Sequence, residues 1–243
     1  MELYTSYFTG IKAVIFDFDG TLYDFKHLTF RIIAHSLRDI LLVKSERSTR
    51  RELKGKEFDT EEHFHEVFFQ GIAQKTGKTT EHIREWYFSV YLPRLVRVLK
   101  KNYSARPGCA LLFENLKKSA IRCAVYSDYA AVSHRLEAIG LNPEQCGLLY
   151  CSEKLGSLKP SSSASKTICE DLHLQPSQIL MIGDREDTDI AFAKNSGMHY
   201  IQIKTHKTKK TTDPAENNLM EWDAFVELFM QFIKANPQEI ISA

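Results

Sequence analysis

Two aspartates lie close together at the point where an apolar run of the sequence ends. The run Ala13–Phe16 is followed by Asp17 and Asp19, with Gly20 and Thr21 directly after them. Such a run is typical of a strand buried on both faces of a parallel sheet, and the carboxyl end of such a strand faces a ligand crevice. Two carboxylates crowded there repel each other unless a cation or a proton lies between them, and Mg²⁺ is a cation that carboxylates bind. The first of them, Asp17, would also be free to attack a substrate as a nucleophile.

A hydroxyl group and an ammonium group follow apolar segments later in the chain. Ser127 and Asp128 come after the run Ile121–Tyr126, and Lys159 precedes Pro160. The Ser127 hydroxyl and the backbone N–H after it could donate to phosphoryl oxygens, although serine at a strand end is also a common turn or helix-capping residue. Lys159 could neutralise an attacking carboxylate and the oxygens of a phosphoryl group, although it is one lysine among many.

A group of acids forms the last candidate element. Asp184 follows the apolar run Ile179–Ile182 and a glycine, and Glu186, Asp187 and Asp189 come soon after it. These side chains would repel one another without a cation nearby. The segment therefore indicates a second contribution to a metal site, at the end of a second buried strand.

In this order the four elements resemble the motifs of the haloacid dehalogenase superfamily of aspartate-nucleophile hydrolases, in its C1-capped phosphatase type. The resemblance spans roughly residues 11–203 and includes the DxDGT form of the first motif. It implies that Asp17 is the nucleophile, that Asp19 is the general acid and base, and that Mg²⁺ is held by these two residues and Asp184. Asp189 is expected behind them, where it would hold a metal-bound water or the lysine.

The resemblance also implies the reaction, which is hydrolysis of a phosphate monoester of a small metabolite through an aspartyl-phosphate intermediate. The expected catalytic residues are Asp17, Asp19, Ser127 and Lys159. The substrate phosphate is expected to be bound by Ser127, Asp128 and Lys159.

Other functions of the same superfamily stay open at this point. A phosphomutase shares all four motifs, and only its product, an isomer of the substrate, separates it from a phosphatase. A dehalogenase uses the first aspartate but does not need Asp19 or Asp184, and a phosphonatase would need a cap lysine that nothing in this sequence marks. A non-catalytic binding module could retain the fold, although the retention of Asp17 and Asp184 argues against it.

Short apolar runs separated by helical segments predict the elements that position these residues. The pattern indicates an α/β fold with a Rossmann-like, doubly wound parallel sheet. The runs that predict its strands are Ala13–Phe16, Ile121–Tyr126, Leu148–Cys151, Ile179–Ile182 and Tyr200–Ile203.

The segment between the first two strands breaks this rhythm, because its periodicity is helical throughout. We therefore expect a core formed by residues 1–25 and 104–243, with residues 26–103 inserted as an all-helical domain. An insertion at that point would lie over the carboxylates, and the resemblance identifies it as a cap.

Local signals predict where some helices begin and end. Asp59 with Glu62 and Asn218 with Glu221 have the spacing of a capping box. Pro93 is expected to kink or end the helix that contains it.

The composition of the 243 residues is that of an ordinary globular protein. A net charge of +1 gives no overall bias toward nucleic acid or membrane surfaces. No run approaches the ~20 apolar residues that cross a bilayer, and no secretory signal is evident at the start. The five cysteines form no CxxC pair, which favours free thiols in a reducing cytoplasm. A small-molecule phosphate ester is the expected partner, and the protein is expected to be a monomer or a homodimer.

Overall fold

A computed structural model of the chain describes residues 7–34, 37–206, 208 and 218–237. Its centre is a six-stranded parallel sheet in the order β3-β2-β1-β4-β5-β6. The strands are β1 Ala13–Asp17, β2 Arg122–Ser127, β3 Leu148–Cys151, β4 Ile179–Gly183, β5 His199–Ile203 and β6 Leu219–Met220. The five predicted strands are confirmed, and β6 was missed because two residues carry no readable pattern. The fold class is therefore the predicted Rossmann-like α/β fold.

The register of the central strands explains how distant residues meet. Phe16 of β1 pairs with Val125 of β2 on one side and with Ile182 of β4 on the other. Because the three strands run in parallel, their carboxyl ends finish at nearly the same level of the sheet. Residues that directly follow β1, β2 and β4 therefore lie beside one another.

The described residues between β1 and β2 are helical except at short connections. After this segment, helices cover both faces of the sheet. The helices are α1 Leu28–Ala34, α2 Ile40–Glu52, α3 Glu61–Thr76, α4 Thr80–Trp86, α5 Leu92–Asn102, α6 Cys109–Lys117, α7 Val132–Ala138, α8 Ser163–Leu172, α9 Ala191–Ser196 and α10 Trp222–Ala235. None of these helices is both long and apolar enough to pass through a bilayer, a statement that covers the described ranges only.

Three local predictions about helix ends need correction. Helix α3 is capped by Thr60, whose hydroxyl accepts from the backbone N–H of His63, so the cap lies one residue after Asp59. Helix α10 begins after Glu221 without a side-chain cap, so Asn218 and Glu221 form no capping box.

Pro93 does not end its helix. A π-helical turn, Tyr87–Tyr91, connects α4 to α5, and Pro93 lies in the first turn of α5. A wider turn before the proline relieves the crowding that its ring would cause in a regular helix interior. The helical path therefore continues from Thr80 to Asn102.

Each face of the sheet has its own apolar core. On one face Phe16 packs against Phe113 of α6 and against Phe225 and Phe229 of α10. On the other, Tyr126 packs edge-on against Phe192 of α9. All six rings are buried, so β1 is held between two apolar layers and its carboxyl end is fixed in place.

Candidate active site

Three carboxylates and one ammonium group meet at the carboxyl edge of the sheet. Asp17 ends β1, Asp184 follows β4, and Asp189 lies in a π-helical turn, Glu186–Ile190, before α9. Lys159 reaches them from the loop after β3, with its Nζ 2.5 Å from Asp17 Oδ1 and 2.6 Å from Asp189 Oδ1. All four side chains are buried.

Negative charge exceeds positive charge in this group, which we call the aspartate cluster (Asp17, Asp184, Asp189 and Lys159). Burial, with Asp189 nearby, raises the pKa of Asp17 well above its usual value, although Lys159 opposes the shift. Burial and Asp189 also raise the pKa of Asp184 to about 7. The pKa of Lys159 is raised by Asp17 and Asp189 although burial alone would lower it. The cluster therefore attracts protons or a further cation.

The donor set fits a hard divalent cation. One carboxylate oxygen from each of Asp17, Asp184 and Asp189 lies within 4.8 Å of the others. Asp184 Oδ1 is buried and has no hydrogen-bond partner among the residues that the structure describes. An unpaired carboxylate oxygen at such a depth is costly unless a cation completes its coordination.

A glycine makes this close approach possible. Gly20 has a φ of +101°, and a Cβ at this position would lie 2.5 Å from Asp184 Oδ2. Any other residue at position 20 would therefore displace the Asp184 carboxylate.

The carboxylate of Asp19 binds Arg135 and Tyr23 and is not part of the aspartate cluster. Its Oδ2 accepts from the guanidinium of Arg135, and its Oδ1 accepts from the Tyr23 hydroxyl at 2.5 Å. Burial alone would raise the pKa of Asp19, but the Arg135 charge and hydrogen bond lower it below the usual value. Of the three predicted metal ligands, the structure brings Asp17 and Asp184 together, places Asp189 beside them, and pairs Asp19 with an arginine.

Ser127 lies between the aspartate cluster and Arg135. Its hydroxyl accepts from Arg135 Nη1 at 2.8 Å and from the backbone N–H of Tyr129 at 3.2 Å, and it lies 3.4 Å from Asp19 Oδ2. Asp128 instead accepts a hydrogen bond from the Ser152 hydroxyl at 2.8 Å. Ser127 and Asp128 both lie at the carboxyl edge of the sheet, as predicted.

A cavity of about 630 Å³ opens from the aspartate cluster toward the inserted helices. Lys159, Asp184 and Asp128 line its core side. It is also lined by the basic side chains Arg47, Arg50 and Arg51 of α2 and by Lys54, two residues after the end of that helix. The volume is ordinary for a small-molecule site.

A buried hydrogen-bonded network joins the inserted helices to the core beside this cavity. Glu153, in the loop after β3, accepts from Arg50 Nη2 at 3.1 Å and from the Tyr87 hydroxyl at 2.5 Å. Its second oxygen lies 3.1 Å from His65 Nε2. Arg50 also donates to Glu46 at 2.8 Å. We call these five residues the Glu153 network.

Neither Arg135 nor the Glu153 network was predicted from the sequence. A signal was present, because Arg135 occupies the apolar face of α7 together with the buried Val132 and Leu136. In the same way, Glu46 and Arg50 occupy buried positions of α2. A charged residue at an apolar-face position predicts a buried partner, although the sequence does not say which one.

Comparison with known proteins agrees with this geometry. The family model described as "Hydrolase: haloacid dehalogenase-like hydrolase" matches residues 11–197. A phospholysine phosphohistidine inorganic pyrophosphate phosphatase from Danio rerio is 35% identical over 71 residues, which are 28% of this chain and 25% of that protein. The match thus spans about a quarter of the length of that curated relative.

Solved structures share the fold at lower sequence identity. A 2-haloacid dehalogenase from Pseudomonas syringae pv. Tomato DC3000 has a TM-score of 0.63 at 19% identity, over 91% of this chain and 99% of that one. A predicted phosphoglycolate phosphatase from Haemophilus somnus 129pt has a TM-score of 0.62 at 18% identity, over 91% and 99% of the two chains. Such likenesses concern the fold, since folds of this kind carry several chemistries.

Proposed function

Because the chain belongs to the haloacid dehalogenase-like hydrolases, we propose that it is a Mg²⁺-dependent phosphatase that hydrolyses a phosphate monoester of a small metabolite. The observation that carries this proposal is the aspartate cluster, with its excess of buried carboxylates and the unpartnered oxygen of Asp184. A binding module would have no reason to keep such self-repelling charges together. The curated phosphatase relative supports the same reaction class.

Asp17 and Asp184 would hold the metal ion, with Asp189 positioning Lys159 beside it. When bound, Mg²⁺ supplies positive charge that offsets the repulsion between the nucleophile and the phosphoryl oxygens. Asp19, whose carboxylate is paired with Arg135, fits the acid and base role better than that of a side-chain ligand. Its residue type and position are those that the resemblance requires.

The reaction would proceed in two displacements at phosphorus. A carboxylate oxygen of Asp17 attacks, the bond from phosphorus to the ester oxygen breaks, and Asp19 gives its proton to the leaving alkoxide. Water then attacks the aspartyl phosphate on Asp17, and Asp19 takes a proton from that water as inorganic phosphate leaves. Ser127 and Lys159 would hold the transferring oxygens throughout.

The ionisation of Asp19 needs a change when substrate arrives. Without substrate, Arg135 keeps this carboxyl in its charged form. A phosphoryl dianion bound beside Lys159 and Ser127 would compete for the positive charge of Arg135 and would itself repel a carboxylate. Both effects would raise the pKa of Asp19 in the complex, which would allow it to carry the proton that the leaving group needs.

The proposal extends to the domains, the location and the partners of the protein. Residues 26–103 would act as the cap that excludes bulk water and contacts the remainder of the substrate, and residues 1–25 with 104–243 would act as the catalytic core. We propose a cytoplasmic location, which the five free thiols support. The protein would act as a monomer or homodimer on a small molecule, without nucleic acid or membrane partners.

A product screen tests the function. The protein is incubated with sugar phosphates, nucleotides, phosphorylated acids and amino-alcohol phosphates, with Mg²⁺ or with EDTA, and all phosphorus species are followed by ³¹P NMR. We expect inorganic phosphate from at least one ester with Mg²⁺ and none with EDTA. An isomeric ester without free phosphate would identify a phosphomutase. Halide release from a 2-haloacid, tested in parallel, would identify a dehalogenase, and no reaction with any of these compounds would identify a binding module. Each of these results would overturn the proposal.

A further inference from the structure

Part of the cavity lining is a basic face of helix α2, continued by the segment directly after it. Arg47, Arg50, Arg51 and Lys54 line the cavity. Their spacing of three and four residues places them on one side of α2 and its C-terminal end. No acidic residue of α2 lines the cavity.

Two of these four cations already have structural partners. Arg50 donates from Nε to Glu46 at 2.8 Å, from Nη2 to Glu153 at 3.1 Å and from Nη1 to the backbone carbonyl of Asp128 at 2.7 Å, so each of its three nitrogens already has a partner. Lys54 forms an ion pair with Asp187.

The other two cations, Arg47 and Arg51, are uncommitted. Neither makes a side-chain hydrogen bond or an ion pair with any residue in the described part of the chain. Arg47 is nevertheless half-buried, and Arg51 is exposed. Burial opposes the charge of Arg47, yet the neighbouring Tyr129, Tyr91 and Glu46 raise its pKa, so Arg47 lines the cavity as a cation. A half-buried guanidinium loses hydration, and a bound anion would compensate for that loss.

We propose that the substrate carries a second anionic group, a phosphate or a carboxylate, and that Arg47 and Arg51 bind it while the scissile phosphate lies at Asp17. This inference rests on the proposed phosphatase function. Guanidinium groups bind such oxyanions with paired hydrogen bonds, and the cavity of about 630 Å³ has room for a short chain between two anionic ends. Arg47 and Arg51 would thus determine which phosphate esters the protein accepts.

Matched ligand series test this assignment. One series contains α,ω-alkanediol bisphosphates with two to five carbons, a second contains ω-phosphorylated carboxylic acids, and the reference series contains ω-hydroxyalkyl monophosphates of equal length. We expect kcat/KM to favour at least one doubly anionic ligand over its reference by about 10-fold or more, given the strength of charge-assisted hydrogen bonds. The preferred chain length would report the span from Asp17 to Arg47, and the preferred series would distinguish phosphate from carboxylate.

Substitutions then assign the preference to residues. Arg47→Gln and Arg51→Gln should each reduce the ratio of doubly to singly anionic ligand by about 5- to 50-fold, mainly through KM. Arg47→Lys should retain part of the ratio, because it keeps the charge but not the planar fork. Lys44→Gln is the matched control, since Lys44 is exposed on the same helix and does not line the cavity. An unchanged ratio in both glutamine variants would overturn the inference.

A binding measurement separates this inference from the proposed function. The Asp17→Asn variant, with and without Arg47→Gln, is titrated calorimetrically with the same three ligand series. Tighter binding of a bisphosphate or a phosphorylated carboxylic acid than of its reference monophosphate, lost with Arg47→Gln, supports the inference even if the wild type hydrolyses nothing. Equal affinity for the doubly and singly anionic ligands in both series overturns it, even if the wild type is an active phosphatase.

Discussion

Two buried charged regions of this protein lie side by side, and they are built in opposite ways. The aspartate cluster combines three carboxylates with one lysine and leaves Asp184 Oδ1 without a partner in the described chain. In the Glu153 network, both carboxylate oxygens of Glu153 have partners. The first region is incomplete without something from outside the chain, whereas the second is complete in itself.

For this reason the pKa values of Asp184 in the cluster and Glu153 in the network are shifted in opposite directions. Burial raises the pKa of carboxyl groups in both, and in the cluster the pKa of Asp184 accordingly rises to about 7. In the network, hydrogen bonding from His65 and the charge of Arg50 outweigh burial and lower the pKa of Glu153. A buried acid that its own surroundings stabilise has a structural role, and one that they destabilise indicates a site for a ligand.

The largest difference between the regions should appear in catalysis. Asp17→Asn removes the nucleophile with almost no change in shape, so turnover of the best phosphate ester should fall by at least about 10³-fold. Initial rates of phosphate release measure the effect. Asp223→Asn, which removes an exposed carboxylate from α10, is the control and should retain the wild-type rate. Near-normal release by Asp17→Asn would reject the assignment of the nucleophile.

The next largest effect should be on stability, and it should come from the other region. Glu153→Ala leaves the buried Arg50 without its partner in the core and should lower the free energy of unfolding by about 3–5 kcal/mol. Urea unfolding measures it. Glu114→Gln, in the exposed pair with Lys118, should leave the midpoint unchanged. A Glu153→Ala variant as stable as the wild type would show that the network does not connect the inserted helices to the core.

Removing a charge from the aspartate cluster should have the opposite effect on stability and raise the free energy of unfolding. A folded-state pKa of about 7 for Asp184, above its unfolded value, means that this carboxyl contributes most to the stability of the metal-free protein at low pH, and that its contribution is lost as pH rises toward 7. Asp184→Asn removes this loss and should stabilise the metal-free protein at pH 8 by about 1–2 kcal/mol. Thermal unfolding in EDTA between pH 5 and pH 8 measures it. If Asp184→Asn is no more stable than the wild type at pH 8, the charged Asp184 carboxylate does not destabilise the metal-free protein and the prediction is wrong.

The smallest effect we predict is the response to the metal alone. Millimolar Mg²⁺ at pH 8 should raise the Tm of the wild type by about 2–4 °C, because an ion bound only to the folded state stabilises it by mass action. Asp184→Asn should respond much less, and Ca²⁺ tested in parallel shows whether the site selects the smaller ion. Equal shifts in both proteins would place the bound ion elsewhere.

The sequence predicted the sheet and its functional edge because both depend on local patterns. Buried strands such as Ala13–Phe16 are continuous apolar runs, and polar residues at their ends have to lie at one edge of a parallel sheet. The same reasoning placed Asp17 and Asp184 together without any knowledge of the contacts, whereas Lys159 was expected beside them from the resemblance to the superfamily.

What the sequence did not predict depends on contacts between distant segments. Arg135 binds Asp19 across 116 residues, and Arg50 binds Glu153 across 103. Periodicity shows that a charged residue faces the interior of the protein, but not which partner it meets there. The caps of α3 and α10 differ from the predicted ones because Thr60 competes with Asp59 as an N-cap and because α10 begins without a side-chain cap.

Trapping the covalent intermediate tests the central claim, that the incomplete cluster is the reaction centre. The protein is mixed with its best phosphate ester and Mg²⁺, quenched in acid and treated with borohydride, which reduces an aspartyl phosphate to homoserine, and the peptides are sequenced by mass spectrometry. We predict homoserine at position 17, dependent on both substrate and Mg²⁺. Phosphate release without modification of Asp17, or with modification at another aspartate, would contradict the account.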